Sequence, residues 1–358
     1  MNPSSILFEE ISGKEGNLGL VTLNRPQALN ALTHEMIISL HQQLIQWEND
    51  PKLKAVVICA APGRAFCAGG DLRLVYDKHQ VKDSSIFQFF RDEYRLNHYI
   101  FHYTKPYISI LNGITMGGGA GISINGSHCI ATENLVFAMP ETGIGFFPDV
   151  GGSYFLSRLP YGLGFYLGLT GARLSADDCI GIRLMQFKSH SSNIPDLIKA
   201  LADTPLGGNA REKVNHVLSK FQQSPQLSSL TEQYPFISKY FIKHDIEEIM
   251  TALDSHKTPW HQETLGLLKT KSPTSLKITL KEIHEGARRD FGQCMQMEYH
   301  LMWHFIQEHD FFEGIRAVLI DKTQNPSWLP GKLNEISQED VESFFIPLGG
   351  EAAQLLFT

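Results

Sequence analysis

Two short, almost wholly apolar runs, each followed by a glycine-rich stretch, constrain this chain more than any other feature. The first is Ala55-Val56-Val57-Ile58-Cys59-Ala60, with Gly63-Arg64-Ala65-Phe66-Cys67-Ala68-Gly69-Gly70-Asp71-Leu72 behind it. The second is Tyr107–Leu111, entered from Lys105-Pro106 and left through Asn112-Gly113-Ile114-Thr115-Met116-Gly117-Gly118-Gly119-Ala120-Gly121. A strand without polar alternation is buried on both faces, which is the habit of parallel sheets covered by helices. His128-Cys129-Ile130-Ala131 and Leu135-Val136-Phe137-Ala138-Met139 read as two more strands, and Leu18–Leu23 as an earlier one ended by Asn24-Arg25-Pro26. Thr33 is a candidate N-cap, after which Met36, Ile37, Leu40, Leu44 and Trp47 recur at helical spacing until Asn49-Asp50-Pro51. Strands alternating with helices predict an α/β core with sizeable parallel pairing.

Strand signals largely end near Ser153. Asp203–Asn209 and Asp254–Pro259 read as loops between helices, Ser272-Pro273-Thr274-Ser275 as a helix start, and Asp290 to His309 as one long amphipathic helix. The expected organisation is a core over residues 1–200 and a mainly helical region over 201–358. Residues 189–259 carry little motif content, and there is no low-complexity tract or short-period repeat.

With 42% hydrophobic and 19% charged residues, the 358-residue chain has the make-up of a folded protein. A net charge of −7 argues against a dedicated nucleic-acid surface. No apolar run reaches the length of a membrane span. The first ten residues lack a basic leader and carry acids, which disfavours a transit peptide unless the chain is a mature form. Cys59, Cys67, Cys129, Cys179 and Cys294 are scattered, odd in number and without a Cys-x-x-Cys, so reduced thiols and a cytoplasmic location are expected.

Chemistry concentrates in Met139-Pro140-Glu141-Thr142-Gly143-Ile144-Gly145-Phe146-Phe147-Pro148-Asp149-Val150-Gly151-Gly152. Two carboxylates, each directly after a proline, stand among apolar residues and glycine. Lost solvation raises a carboxylate's pKa toward the range useful for proton transfer or nucleophilic work. The plain alternative is a surface turn with two solvated acids. The glycine-rich stretches permit close backbone approach and positive φ, and two such turns facing each other make an oxyanion hole for a polarised carbonyl. The plain alternative there is a pair of tight turns that merely pack. Neither stretch is a dinucleotide fingerprint or a P-loop.

Phe66-Cys67-Ala68-Gly69-Gly70-Asp71 together with Gly113–Gly119 resembles the crotonase (enoyl-CoA hydratase/isomerase) superfamily, as does Asn24-Arg25-Pro26-Gln27-Ala28-Leu29-Asn30-Ala31-Leu32. Within it, the Met139–Gly152 run is similar to the 3-hydroxyisobutyryl-CoA hydrolases. Phe90-Arg91-Asp92-Glu93-Tyr94, Ser272–Lys277 and Phe312–Lys322 support that subgroup, and the similarity extends from about residue 6 to about residue 330. The resemblance implies a spiral of strand-strand-helix units with a C-terminal helical region. It also implies hydrolysis of an acyl-CoA thioester, 3-hydroxyisobutyryl-CoA to free acid and CoA, in valine breakdown. Backbone N–H groups of Gly70 and Gly118 would hold the thioester oxygen. Glu141 would attack the carbonyl or activate a water, Asp149 would bind the 3-hydroxyl and assist proton transfer, and Glu93 would contact substrate. No cofactor is implied, since CoA enters as substrate. No membrane or nucleic-acid partner is implied either, whereas self-assembly is a common habit of the superfamily.

One departure bears on the reaction. Hydratases carry a glutamate just after the second glycine cluster, where this chain has Gly121, and usually glycine where it has Asp149. Hydration by a glutamate pair is therefore disfavoured against hydrolysis. A hydratase or isomerase using another acid and a non-catalytic acyl-CoA-binding protein are the rival readings. Glu93 also reads as an ordinary surface acid between Arg91 and Arg95. His98 with His102 and His300 with His304 have helical metal-ligand spacing but no completing acid. Cys67 is more often a buried small hydrophobe than a nucleophile.

Overall fold

The computed structural model describes residues 4–347 and 354–357. Its strands are β1 Ile6–Gly13, β2 Gly16–Leu23, β3 Leu53–Ala60, β4 Ala65–Cys67, β5 Tyr107–Leu111, β6 Ile114–Met116, β7 His128–Thr132, β8 Val136–Ala138 and β9 Phe187–Ser189. The larger sheet runs β1-β2-β3-β5-β7-β9. Only the β1–β2 pair is antiparallel; the others are parallel, as the continuous apolar runs require. β4, β6 and β8 form a smaller sheet. Two expectations change here. The strand at Leu135–Met139 is shorter and joins the smaller sheet, and β9 adds a strand beyond Ser153 that is too short to leave a periodic signal.

Helices cover both faces of the larger sheet. On one side Leu18, Ala55, Val57, Ile108, Ile110 and Ile130 pack with Leu197 and Leu201 of the helix Ile194–Ala202 and with Val214, Val217 and Leu218 of the helix Ala210–Ser219. Part of the motif-poor stretch thus serves as a cover for the sheet. On the other side the helix His34–Asn49 approaches so closely that a Cβ on Gly19 would lie 2.9 Å from the Trp47 ring. Thr33 caps that helix, its side chain accepting the Met36 N–H at 3.2 Å.

The chain forms two compact units, each built of three stretches. One takes residues up to 70, 95–137 and 174–231, and the other 71–94, 138–173 and 232 onward. Compactness follows interleaved stretches, whereas the expected ranges 1–200 and 201–358 are consecutive. The first unit holds the sheets. The second contains the helices Pro273–Gly286, Phe291–Phe305 and His309–Ile315. The single helix expected over Asp290–His309 is broken. Gln307 and Glu308 donate to the carbonyls three residues back, and Glu308 turns extended before the next helix. Among the described residues no helix is long and apolar enough to cross a membrane.

Candidate active site

In the first unit, β4 and β6 lie side by side and deliver the two glycine turns to one place. Gly69 and Gly117 have φ of +109° and +49°, settings that disfavour a side chain. A Cβ on Gly69 would stand 3.7 Å from the Gly118 nitrogen, and one on Gly119 only 2.3 Å from the Cys67 carbonyl oxygen. The turns carrying Gly70 and Gly118 therefore meet backbone to backbone. The Asn24–Leu32 segment braces the first turn. Buried Asn30 accepts the Arg25 N–H at 2.7 Å and donates to the Ala65 carbonyl at 3.0 Å, while the Leu32 N–H reaches the Gly69 carbonyl at 2.8 Å. Cys67 is buried beside the Gly69 carbonyl, the setting of a packing residue. Gly119→Ala is expected to push Cys67 away, costing about 1–3 kcal/mol of stability and slowing turnover. An unchanged melting temperature and rate would show that the close approach has no consequence.

The acids lie in the second unit. Glu93, Glu141 and Asp149 are 2%, 5% and 6% exposed, which rules out solvated turns and a surface helix face. Asp149 accepts a hydrogen bond from the Tyr94 hydroxyl at 2.8 Å. Burial pushes Asp149 up to about 7, against the pull of that hydrogen bond. Glu141 is held well above the usual carboxylate range, first by burial and then by the charge of Asp149, with Lys271 opposing. Its Oε2 is buried without a hydrogen-bond partner. Glu93 is raised too, by burial and by Asp149, and its Oε1 is likewise unpartnered. The same unit carries a cluster of tilted aromatic rings. Phe146 lies 4.5 Å from both Phe147 and Phe311 between ring centroids, and 5.7 Å from Phe90.

Glu141 opens the short 3-10 helix Glu141–Ile144, which ends at Gly145 in the left-handed region. The C-terminal segments singled out in the sequence hold this turn. The Ser272 N–H donates to the Thr142 carbonyl at 3.2 Å, and the Ser272 hydroxyl to Asp310 at 2.6 Å. Gly145 fits against the Asp310 backbone, and Gly314 against Ile144, where Cβ atoms would come within 2.2 and 2.3 Å. Lys271 brings its Nζ within 3.2 Å of where a Gly143 Cβ would be, supplying a positive charge beside Glu141.

Sequence reading missed four neighbours of these acids. Tyr94 closes the quoted Phe90–Tyr94 run without being given a role, and Lys271 flanks the Ser272 run; those positions were their only signal. Glu282 and Glu298, both fully buried, gave none, because a lone acid in an amphipathic helix reads as surface. Glu282 is raised by burial and by the charges of Glu298, Asp149 and Glu141. The histidine pairs have other occupations. His98 packs on His102 at 4.2 Å, His300 meets Gln296 at 2.7 Å, and His304 meets the Ile346 carbonyl at 3.0 Å.

Facing glycine turns on one unit and a buried Glu-Asp set on the other are features of an acyl-CoA enzyme. The family model described as enoyl-CoA hydratase/isomerase matches residues 18–345, and the chain belongs to that family, within the crotonase superfamily. Its similarity is strong to the mitochondrial 3-hydroxyisobutyryl-CoA hydrolases. The chain is 41% identical to the Gallus gallus protein over 346 residues, covering 96% of this chain and 90% of that one. Identity to the Homo sapiens protein is 40%, covering 95% and 89%. Among solved structures, a carnitinyl-CoA dehydratase from Mycobacterium thermoresistibile superposes with a TM-score of 0.90 at 36% identity, covering 99% of both chains. An enoyl-CoA hydratase from Rhodobacter sphaeroides gives 0.87 at 34%, covering 96% of this chain and 98% of that one. The fold is thus the α/β crotonase spiral with a C-terminal helical region. The cytoplasmic location expected from the sequence is overturned, because these hydrolase relatives are mitochondrial proteins. Reduced thiols separate a reducing compartment from a secretory one, but not one reducing compartment from another.

Proposed function

We propose that this chain hydrolyses 3-hydroxyisobutyryl-CoA to 3-hydroxyisobutyrate and CoA, the thioester step of valine catabolism. The observation that carries the reading is the identity of the buried acids: Glu141 and Asp149 are present, while position 121 is glycine. The ionised form of Glu141, which the Lys271 charge favours against burial, attacks the acyl carbon through one oxygen, and the negative charge on the thioester oxygen is received by the Gly70 and Gly118 N–H groups. Collapse breaks the C–S bond and leaves a mixed anhydride. Asp149, with its pKa near neutrality, holds the 3-hydroxyl and supplies the proton that leaves with the CoA thiol. Water then cleaves the anhydride, its proton passing to the Asp149 carboxylate, so that 3-hydroxyisobutyrate leaves and both the Glu141 carboxylate and the Asp149 acid are restored. Glu93 contacts the substrate. Capture of an acyl-enzyme in rapid-quench experiments separates this route from one in which Glu141 activates water directly.

The test is thiol release from 3-hydroxyisobutyryl-CoA, run beside hydration of crotonyl-CoA. Thiol release with negligible hydration is expected. The reverse would move the chain to the hydratase reading that the names of two solved relatives suggest. CoA binding with neither reaction would make it a binding protein. Self-association is part of the proposal on the strength of the family habit, and a lone monomer boundary in sedimentation would remove it.

A further inference from the structure

We infer that Glu298, on the helix Phe291–Phe305, is a positioning residue that sets the aim of Asp149; this rests on the role proposed for Asp149. Beyond Asp149 the chain makes an unusual turn. Val150 has φ +55° and Gly151 +91°, and the short helix Gly152–Leu156 starts at once. A β-branched residue in the left-handed region is a rare setting that its surroundings must enforce. Within the turn, the Gly152 N–H donates to the Asp149 carbonyl at 2.8 Å. From outside, one carboxylate gathers three further donors. Glu298 Oε2 accepts the Gly151 N–H at 2.8 Å, while Oε1 accepts the Ser153 N–H at 3.0 Å and the Ser153 hydroxyl at 2.5 Å.

Glu298 is fully buried, so no water competes for these donors. Burial pushes Glu298 up to about 8, while the Ser153 and Gly151 donors favour its ionised form; where it is ionised the bonds are charge-assisted and stronger than neutral ones. The same helix supports the other restraint on Asp149. Tyr299 packs edge-on against Tyr94, with centroids 6.3 Å apart, and Tyr94 donates its hydroxyl to Asp149. Adjacent residues of one helix thus hold the backbone beyond Asp149 and back the side chain that binds its carboxylate. A simple structural clamp would leave the effect of losing it independent of Asp149; a positioning residue makes the two interdependent.

A double-mutant cycle with Glu298→Gln and Asp149→Asn reads this directly. The glutamine keeps the shape, but its NH2 must face a backbone N–H, donor against donor. In the wild-type background the substitution is expected to lower kcat/KM for 3-hydroxyisobutyryl-CoA about 10- to 100-fold. The preference over isobutyryl-CoA, which lacks the hydroxyl, should shrink with it. In the Asp149→Asn background the further loss should stay below about threefold. Ser153→Ala removes one bond of the three and should give a smaller loss with the same dependence on Asp149, which keeps the test available if Glu298→Gln fails to fold. Equal losses in both backgrounds, or a fully active folded Glu298→Gln, would overturn the inference. Wild-type activity in Asp149→Asn alone would instead overturn the role of Asp149, and the inference with it.

Discussion

Glu141→Gln is expected to lower thiol release from 3-hydroxyisobutyryl-CoA by at least about 10³-fold, equivalent to roughly 4 kcal/mol of barrier, while CoA affinity changes little. The amide has the size of the carboxylate but neither its charge nor its nucleophilicity. The 3-10 turn that presents Glu141 is held by Ser272, Asp310 and Gly314 rather than by the carboxylate, whose Oε2 has no hydrogen-bond partner. The turn should therefore survive the substitution, so that the loss falls on the chemical step. Stopped-flow detection of free thiol, with isothermal titration of CoA as the control, measures both quantities. A variant that retains even a tenth of the wild-type rate would remove Glu141 from the centre of the mechanism.

Asp149→Asn should lose about 10²- to 10³-fold in turnover and yet make the folded protein more stable at pH 8. The gain follows from the direction of its pKa. Folding raises Asp149 from 3.8 to about 7, chiefly by burial. Below pH 4 the group is protonated whether the chain is folded or not, and folding carries no penalty. Between pH 4 and 7 the unfolded chain releases its proton first, so stability falls as the pH rises. Above 7 both states are ionised and the whole penalty stays, on the order of a few kcal/mol. Asparagine does not titrate and still offers an oxygen to the Tyr94 hydroxyl. Its advantage in melting temperature should be several degrees at pH 8 and smaller at pH 5. A gap that is constant with pH, or of opposite sign, would contradict the burial argument.

Much of this was legible in the sequence, and what was not has a common cause. The runs Ala55–Ala60 in β3 and Tyr107–Leu111 in β5 announced themselves because burial on both faces leaves them apolar but for Ser109. Thr33 and Ser272 were recognisable as caps because a hydroxyl before a helix has one obvious partner, the N–H three residues on. Glu141 and Asp149 stood out by their proline-glycine surroundings. Glu298 did not, because its partners Gly151 and Ser153 lie 147 and 145 residues away and its own helix reads as amphipathic. Glu93 was ambiguous for the same reason: flanking arginines suggest solvent, and only the tertiary arrangement puts the acid inside. β4, β6 and β9 are three residues each, below the length at which a period can be read.

The threading of the chain between its two compact units sets an order in time as well as in space. A ribosome delivers Glu93 and Tyr94 early, Glu141 and Asp149 next, and Glu298 only near the end. The strand-bearing unit has all its stretches once Thr231 has been made, whereas the acid-bearing unit must wait for residues after 232. Until then its first two stretches hang from the sheets as unpaired insertions, with apolar side chains such as Phe90, Phe146 and Phe147 in contact with water. The nascent protein is therefore expected to expose most apolar surface before the residues after 232 are made. A premature stop within the last third would leave the sheets able to form while the carboxylates stay out in solvent, with ordinary acidity and no catalytic use.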